Sequence, residues 1–281
     1  MTTETLQLKF KQSPWSTLAP FGLLLLIYLP AVVDLVSDWW NDDNYSHGFL
    51  IPVVSAWLLW QKREKLSTQI VSRDNKGLIL LLAGISLFVA ANAGAEYFSL
   101  RVSMVVCLFG LIYFMFGREL VRMSWFEIAF LCFMMPIPYV IYFAATFPMQ
   151  LLASKVTAFV LNAIGMGVVR QGNIIHIQGF SLEVAEACSG LRSIMSLLAL
   201  GALYAHLTQR RMSSKLILFL STIPIAVLAN VLRVLVTSLI AYTVSDQVTA
   251  EPMHSIMGMS VFVIAFLLMS FVSSLLKRLM P

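Results

Sequence analysis

Cys188 stands in the stretch Glu186-Ala187-Cys188-Ser189-Gly190-Leu191-Arg192-Ser193, at the mouth of an apolar run that opens at Gly190. A cysteine nucleophile works as the thiolate, and thiolates form at helix N-termini and beside His or Arg. The position in the chain supplies the first condition. His254, at the start of run 255–276, and Arg233, inside run 216–243, supply the second if the fold brings them to one side. Arg192, one turn on from Cys188, is a second candidate for the cation. Ser189 and Gly190 let the backbone approach a carbonyl closely, and free amides at a helix start can help hold an oxyanion. Cys with His and a hydrogen-bond donor is a set for acyl transfer. The alternative is an unreactive loop cysteine. Arginine within a spanning helix costs at least ~2.5–3.5 kcal/mol, so Arg233 needs a partner or a wet cavity. It is either part of a site or one half of an interhelical salt bridge. Asn230, three residues earlier, lies on the same helical face and extends a polar seam. Glu183 and Glu186 either orient His254 or Arg192 or are simply solvated. His47, in Tyr45-Ser46-His47-Gly48, either lines a substrate path or caps a helix. His176 and His206 are not expected to be catalytic. Cys107 and Cys132 sit in apolar runs and read as small buried hydrophobes. No Cys/His spacing suggests zinc, and no metal or cofactor is implied.

The elements that must position these residues are membrane helices. Of the 281 residues, 59% are hydrophobic and 12% charged, against about 25% charged in a soluble domain. Apolar runs occur at 17–36, 48–61, 77–95, 100–116, 124–143, 149–165, 190–207, 216–243 and 255–276. A helix of ~20 apolar residues crosses the ~30 Å hydrocarbon layer. The net charge of +5 is explained by Lys and Arg in cytoplasmic loops, and does not point to nucleic acid. Lys9 and Lys11 precede the first run without a small-residue cleavage site, so a retained helix is expected there.

Charge then sets the topology. Lys62, Arg63, Lys65, Arg73 and Lys76 fill one loop, Arg118 and Arg122 a second, Arg210, Arg211 and Lys215 a third, and Lys277 and Arg278 close the chain. The positive-inside rule puts all four, and both termini, in the cytoplasm. Parity leaves run 149–165 interfacial, re-entrant or a half-helix, with Pro136, Pro138 and Pro148 marking a broken region. The expectation is an all-α polytopic protein, one integral-membrane domain over 1–281, with about eight transmembrane helices. Residues 168–184 alternate in polarity around turns at Gln171-Gly172-Asn173 and Gln178-Gly179, which predicts a small outward strand or hairpin element. Cys188 and His254 then fall on the outer side. Arg233 lies about ten residues, or ~15 Å, from the outer end of its helix. Trp39, Trp40 and Tyr45 fit an interfacial aromatic belt.

The chain resembles the exosortases, of the exosortase/archaeosortase family of membrane transpeptidase-like enzymes. The matching stretches are Asn44–Pro52, Met135–Pro138, Leu182–Ser193, Ala229–Val234 and His254 at the start of the last helix, in one order over nearly the whole chain. The resemblance implies a catalytic set of Cys188, Arg233 and His254. It also implies the substrates: secreted proteins with a C-terminal signal made of a short motif, commonly Pro-Glu-Pro in bacteria, an apolar helix and a basic tail. Cleavage and transfer to an acceptor nucleophile would follow, at the outer face of a bacterial inner membrane. A transporter or polymer-export component, with Arg233 and His254 lining a path, is the rival. It requires intramembrane acids, and the spanning runs contain almost none: Glu127 is near an inner end and Glu96 near an outer one. A protease that only hydrolyses would share the acyl-enzyme.

Overall fold

The computed structural model describes residues 14–69, 72–177, 180–184, 190–243 and 253–280. Ten α-helices and one three-stranded sheet are found among them. They fall into two compact units, one from Met1–Asp38 and Phe49–Met135, the other from Trp39–Gly48 and Pro136–Pro281.

In the first unit, α1 (Pro14–Asn41) is followed by a 3-10 turn at Asp43–Phe49, whose residues up to Gly48 belong to the second unit, and then by α2 (Leu50–Gln61) and α3 (Arg63–Ser67). Helices α4 (Asn75–Ala93) and α5 (Tyr97–Phe116) form an antiparallel hairpin. Asp74 caps α4 by accepting from the Lys76 amide, and Glu96 caps α5 by accepting from the Phe98 and Ser99 amides. Apolar residues surround both helices, so their mutual register comes from shape. Gly77 meets Phe114, Gly110 meets Leu81 and Gly84 meets Cys107, and a Cβ at Gly84 would lie 2.6 Å from the Cys107 sulfur. Such small residues let membrane helices approach backbone to backbone. Gly117, at φ 85°, then turns the chain into α6 (Arg118–Phe130), which tightens into a 3-10 turn at Leu131–Met134.

Run 124–143 was expected as one span, and the structure divides it. Pro136 and Pro138 cannot continue a helix and push the residues before them into extended backbone; Met135 has ψ 127°. Run 149–165, in turn, is the distal part of one continuous helix, α7 (Tyr139–Ala163), which accommodates Pro148 internally. α7 is one of six helices among the described residues that are long and apolar enough to cross a membrane. Both of its ends are nevertheless tied to elements expected outside. Tyr45 donates to the Ile137 carbonyl just before it, and Asn162 near its end clamps Val168 through amide and carbonyl. Lys155 is exposed on its flank, where a charge at the bilayer centre would be costly. α2, at 12 residues, covers about 18 Å and is too short to span.

The second unit continues with β1 (Val169–Gln171), β2 (Ile174–Ile177) and β3 (Phe180–Glu183), an antiparallel meander in the order β1-β2-β3. It is the expected strand element, and Gly172 takes φ 65° in its first turn. Ile175, Ile177 and Leu182 point to the same side and pack on Ala153, Ala158 and Leu161 of α7. The chain ends in α8 (Gly190–Thr208), α9 (Met212–Thr243) and α10 (Met253–Leu279), which pack on one another. α9 is central: Val231 and Val234 join the sheet and α7, while Ile225, Ala226 and Ala229 pack on Leu197 of α8 and Val261, Ala265 and Met269 of α10. Trp40 is 80% exposed and suits a belt at the interface, but Trp39 and Tyr45 are buried.

Candidate active site

The polar seam expected on α9 is present. Asn230, Arg233 and Thr237 follow the i, i+3, i+7 spacing of one helical face, and all three are buried. The stripe runs between the two apolar clusters that flank α9. Arg233 is 5% exposed, and its guanidinium reaches α10: a Cβ at Gly258 would stand 3.9 Å from Nη2. Gly258 is one turn beyond His254 on the same helix, about 6 Å along its axis. The structure therefore brings Arg233 to the helix, and nearly to the level, that carries His254. The His254 side chain lies outside the described residues, as do Cys188, Ser189 and Glu186. Gly190 is the first residue of α8 and Arg192 lies in its first turn, but no contact of the Arg192 side chain is described. Ile194, four residues into α8, packs on the cluster that includes Ala229 and Val261. Each of those is one turn from Arg233 or Gly258, so the start of α8 lies toward the same end of the bundle.

The sheet packs beside this region. Val231 and Val234, the neighbours of Arg233, pack against β2 and β3. Open sheet edges are not found in lipid hydrocarbon; they need water or a protein-lined cavity.

Side chains that the sequence pattern did not single out hold the sheet in place. Thr146, Gln150, Ser154 and Thr157 form a buried polar face on α7. Ser154 donates to the Gly172 carbonyl at 2.9 Å, and Gln150 accepts from Asn173. Arg170 also donates to the Gly172 carbonyl, at 2.7 Å. The helical period of those four residues was a readable signal, hidden by the prolines around it. The residue after β3 returns to this docked turn, where the Val184 amide donates to the Asn173 carbonyl at 2.9 Å. Two buried polar oxygens, Asn230 Oδ1 and Thr157 Oγ1, have no hydrogen-bond partner among the described residues. A buried acceptor left unmatched costs about 1–3 kcal/mol.

The remaining histidines have local roles. His176 bonds Ser181 at 2.7 Å and Gln171 at 3.2 Å across the exposed face of the sheet. His206 sits 3.5 Å from Lys215. His47, partly buried, lies in the 3-10 turn with its ring 6.4 Å from that of Tyr45. A family model described as transmembrane exosortase matches residues 39–271, more than four-fifths of the chain. The chain belongs to the transmembrane exosortase family. No curated protein and no solved structure matched it in the same comparisons. A transmembrane exosortase has a membrane transpeptidase-type role. Glu127 and Glu96, the acids considered for the rival reading, have local partners. Glu127 is fully buried with Lys62 Nζ 2.6 Å away. Glu96 is exposed, and hydrogen bonds from Ser99 and the Phe98 amide hold its carboxyl below the usual range.

Proposed function

We propose that this exosortase is a cysteine transpeptidase that cleaves the C-terminal sorting signal of secreted proteins on the outer side of a bacterial inner membrane. The observation that supports it is the approach of buried Arg233 to α10 one turn from His254, in a chain of this family. In the reading, His254 takes the Cys188 thiol proton and the thiolate attacks the scissile carbonyl. Arg233 stabilises the oxyanion, since donors aimed at developing charge act strongly in a water-poor site. The tetrahedral adduct collapses, the C–N bond breaks and His254 protonates the leaving amine. The released tail keeps its apolar helix and basic residues, and the rest of the substrate remains as a Cys188 thioester. An acceptor nucleophile gives its proton to His254, attacks the thioester and frees the thiol. Arg192, Ser189, Gly190 and Asn230 hold the substrate backbone, with His47 and Glu186 beside the path.

Cys188→Ser should abolish release of the tail from a membrane-anchored substrate carrying Pro-Glu-Pro, an apolar helix and a basic end. Cys107→Ala and Cys132→Ala should retain it. Immunoblotting of substrate at matched enzyme levels reads the outcome, and normal processing by Cys188→Ser would remove the assignment.

A further inference from the structure

At the end of the three-helix bundle far from Arg233, the α8–α9 turn and the end of α10 enclose a cleft of about 580 Å³. We propose that this cleft is a binding site for the phosphate of an anionic phospholipid headgroup. Arg210, Arg211 and Lys277 line it, and each is exposed. Basic residues are ordinary at a cytoplasmic membrane face, but these differ from the other basic loop in what surrounds them. There, Lys62 pairs with Glu127 at 2.6 Å and Arg63 lies 3.8 Å from Glu64. Here, the described residues of all three helices contain no Asp or Glu. Three cations thus converge on a cleft with no carboxylate in the elements that form it.

The rest of the cleft suits a lipid better than a free ion. Its floor is fixed: Gln209, 5% exposed, donates to Ser273 Oγ at 2.8 Å, and Ser273 donates to Thr208 at 3.2 Å. Its rim is apolar, with Leu207 52% and Met280 37% exposed, which offers a surface to the glycerol and first acyl carbons. The α9 N-terminus also opens here, and helix N-termini favour anions. Arginine presents a planar fork that matches phosphate oxygens in pairs. Basic pockets between helices at the cytoplasmic face take anionic headgroups. The cleft lies at the ends of two candidate spans, Met212–Tyr242 and Gly258–Leu279, where headgroups are found.

The test uses the full chain, delipidated in detergent and then titrated with phosphatidylglycerol or phosphatidylcholine, with bound lipid counted by native mass spectrometry. Phosphatidylglycerol should be retained in preference. Arg210→Gln/Arg211→Gln/Lys277→Gln should weaken that retention roughly hundredfold, because each cation near an anionic headgroup contributes about fivefold. Lys65→Gln/Arg73→Gln/Lys76→Gln, which removes the same charge from the other loop, should leave it unchanged. Arg211→Gln alone, at an exposed position, should give a partial loss. Equal losses in the two triple variants would reduce the effect to general surface charge and overturn the site. Displacement of the lipid by millimolar inorganic phosphate would overturn the lipid assignment in favour of a free anion.

Discussion

Arg233 is the residue on which most of the proposed chemistry turns. It is buried, and its guanidinium comes close to Gly258 of α10. Lysine would keep the charge and lose the planar set of donors. Arg233→Lys should therefore lower the rate of substrate processing by roughly 10²–10³, the usual cost of an oxyanion donor, with the protein still present in the membrane. Arg192→Lys should be milder. Rates from pulse-chase processing of one substrate decide between them; the reverse order would exchange their roles. Arg233 was legible in the sequence because a charge inside an apolar run is conspicuous. Arg101 was not, although it is as deeply buried. Its partner, Asp38 at 2.6 Å, comes from a distant helix, and only the packing of α1 on α5 makes the pair. Cys188 stands out in the sequence by its polar neighbours and His254 by its place at the start of the last helix; the Cys188 residue and the His254 side chain lie outside the described residues.

Helices α9 and α10 meet where the site is proposed, and there the Arg233 guanidinium comes to Gly258. An alanine there would make ordinary contact with the Arg233 guanidinium at 3.9 Å, whereas a branched side chain would push it aside. Gly258→Ala should process substrate near the wild-type rate. Gly258→Val should lose at least tenfold while its thermal unfolding in detergent shifts little, because misplacement of a catalytic group by about 1 Å can cost ~10². Equal activity of the two variants would separate Gly258 from the site. At this scale the sequence was less informative. Alternating polarity and two Gly-containing turns were enough to place the sheet, because period-two patterning is a local property. The limits of α7 were not readable. Pro136 and Pro138 lie outside a helix while Pro148 stands inside one, where it forfeits the ladder bond to the Ala144 carbonyl, and nothing local in the sequence distinguishes the two cases.

For the molecule as a whole, the sheet and the basic cleft mark two ends of one unit. The sheet packs at Val231 and Val234 of α9, about 27 Å along the helix from Ser213. In a background lacking Cys107, Cys132 and Cys188, a single cysteine at Gln171 should react with an impermeant maleimide on intact cells, and one at Ser213 only after lysis. Both positions are exposed, so accessibility within the protein does not confuse the result; reaction at Ser213 without lysis would invert the orientation. Hydropathy made the polytopic class plain, yet the division into two units was not visible, because both are equally apolar and no linker composition separates them. The hairpin of α4 and α5 carries a consequence in time. Its glycine contacts join residues 77–114 only, so it can close as soon as α5 leaves the ribosome. Translation at about 5–20 residues per second delivers His254 roughly 7–28 s later. During that interval the finished hairpin is already a fixed wall in the bilayer, and the later helices must assemble in its presence.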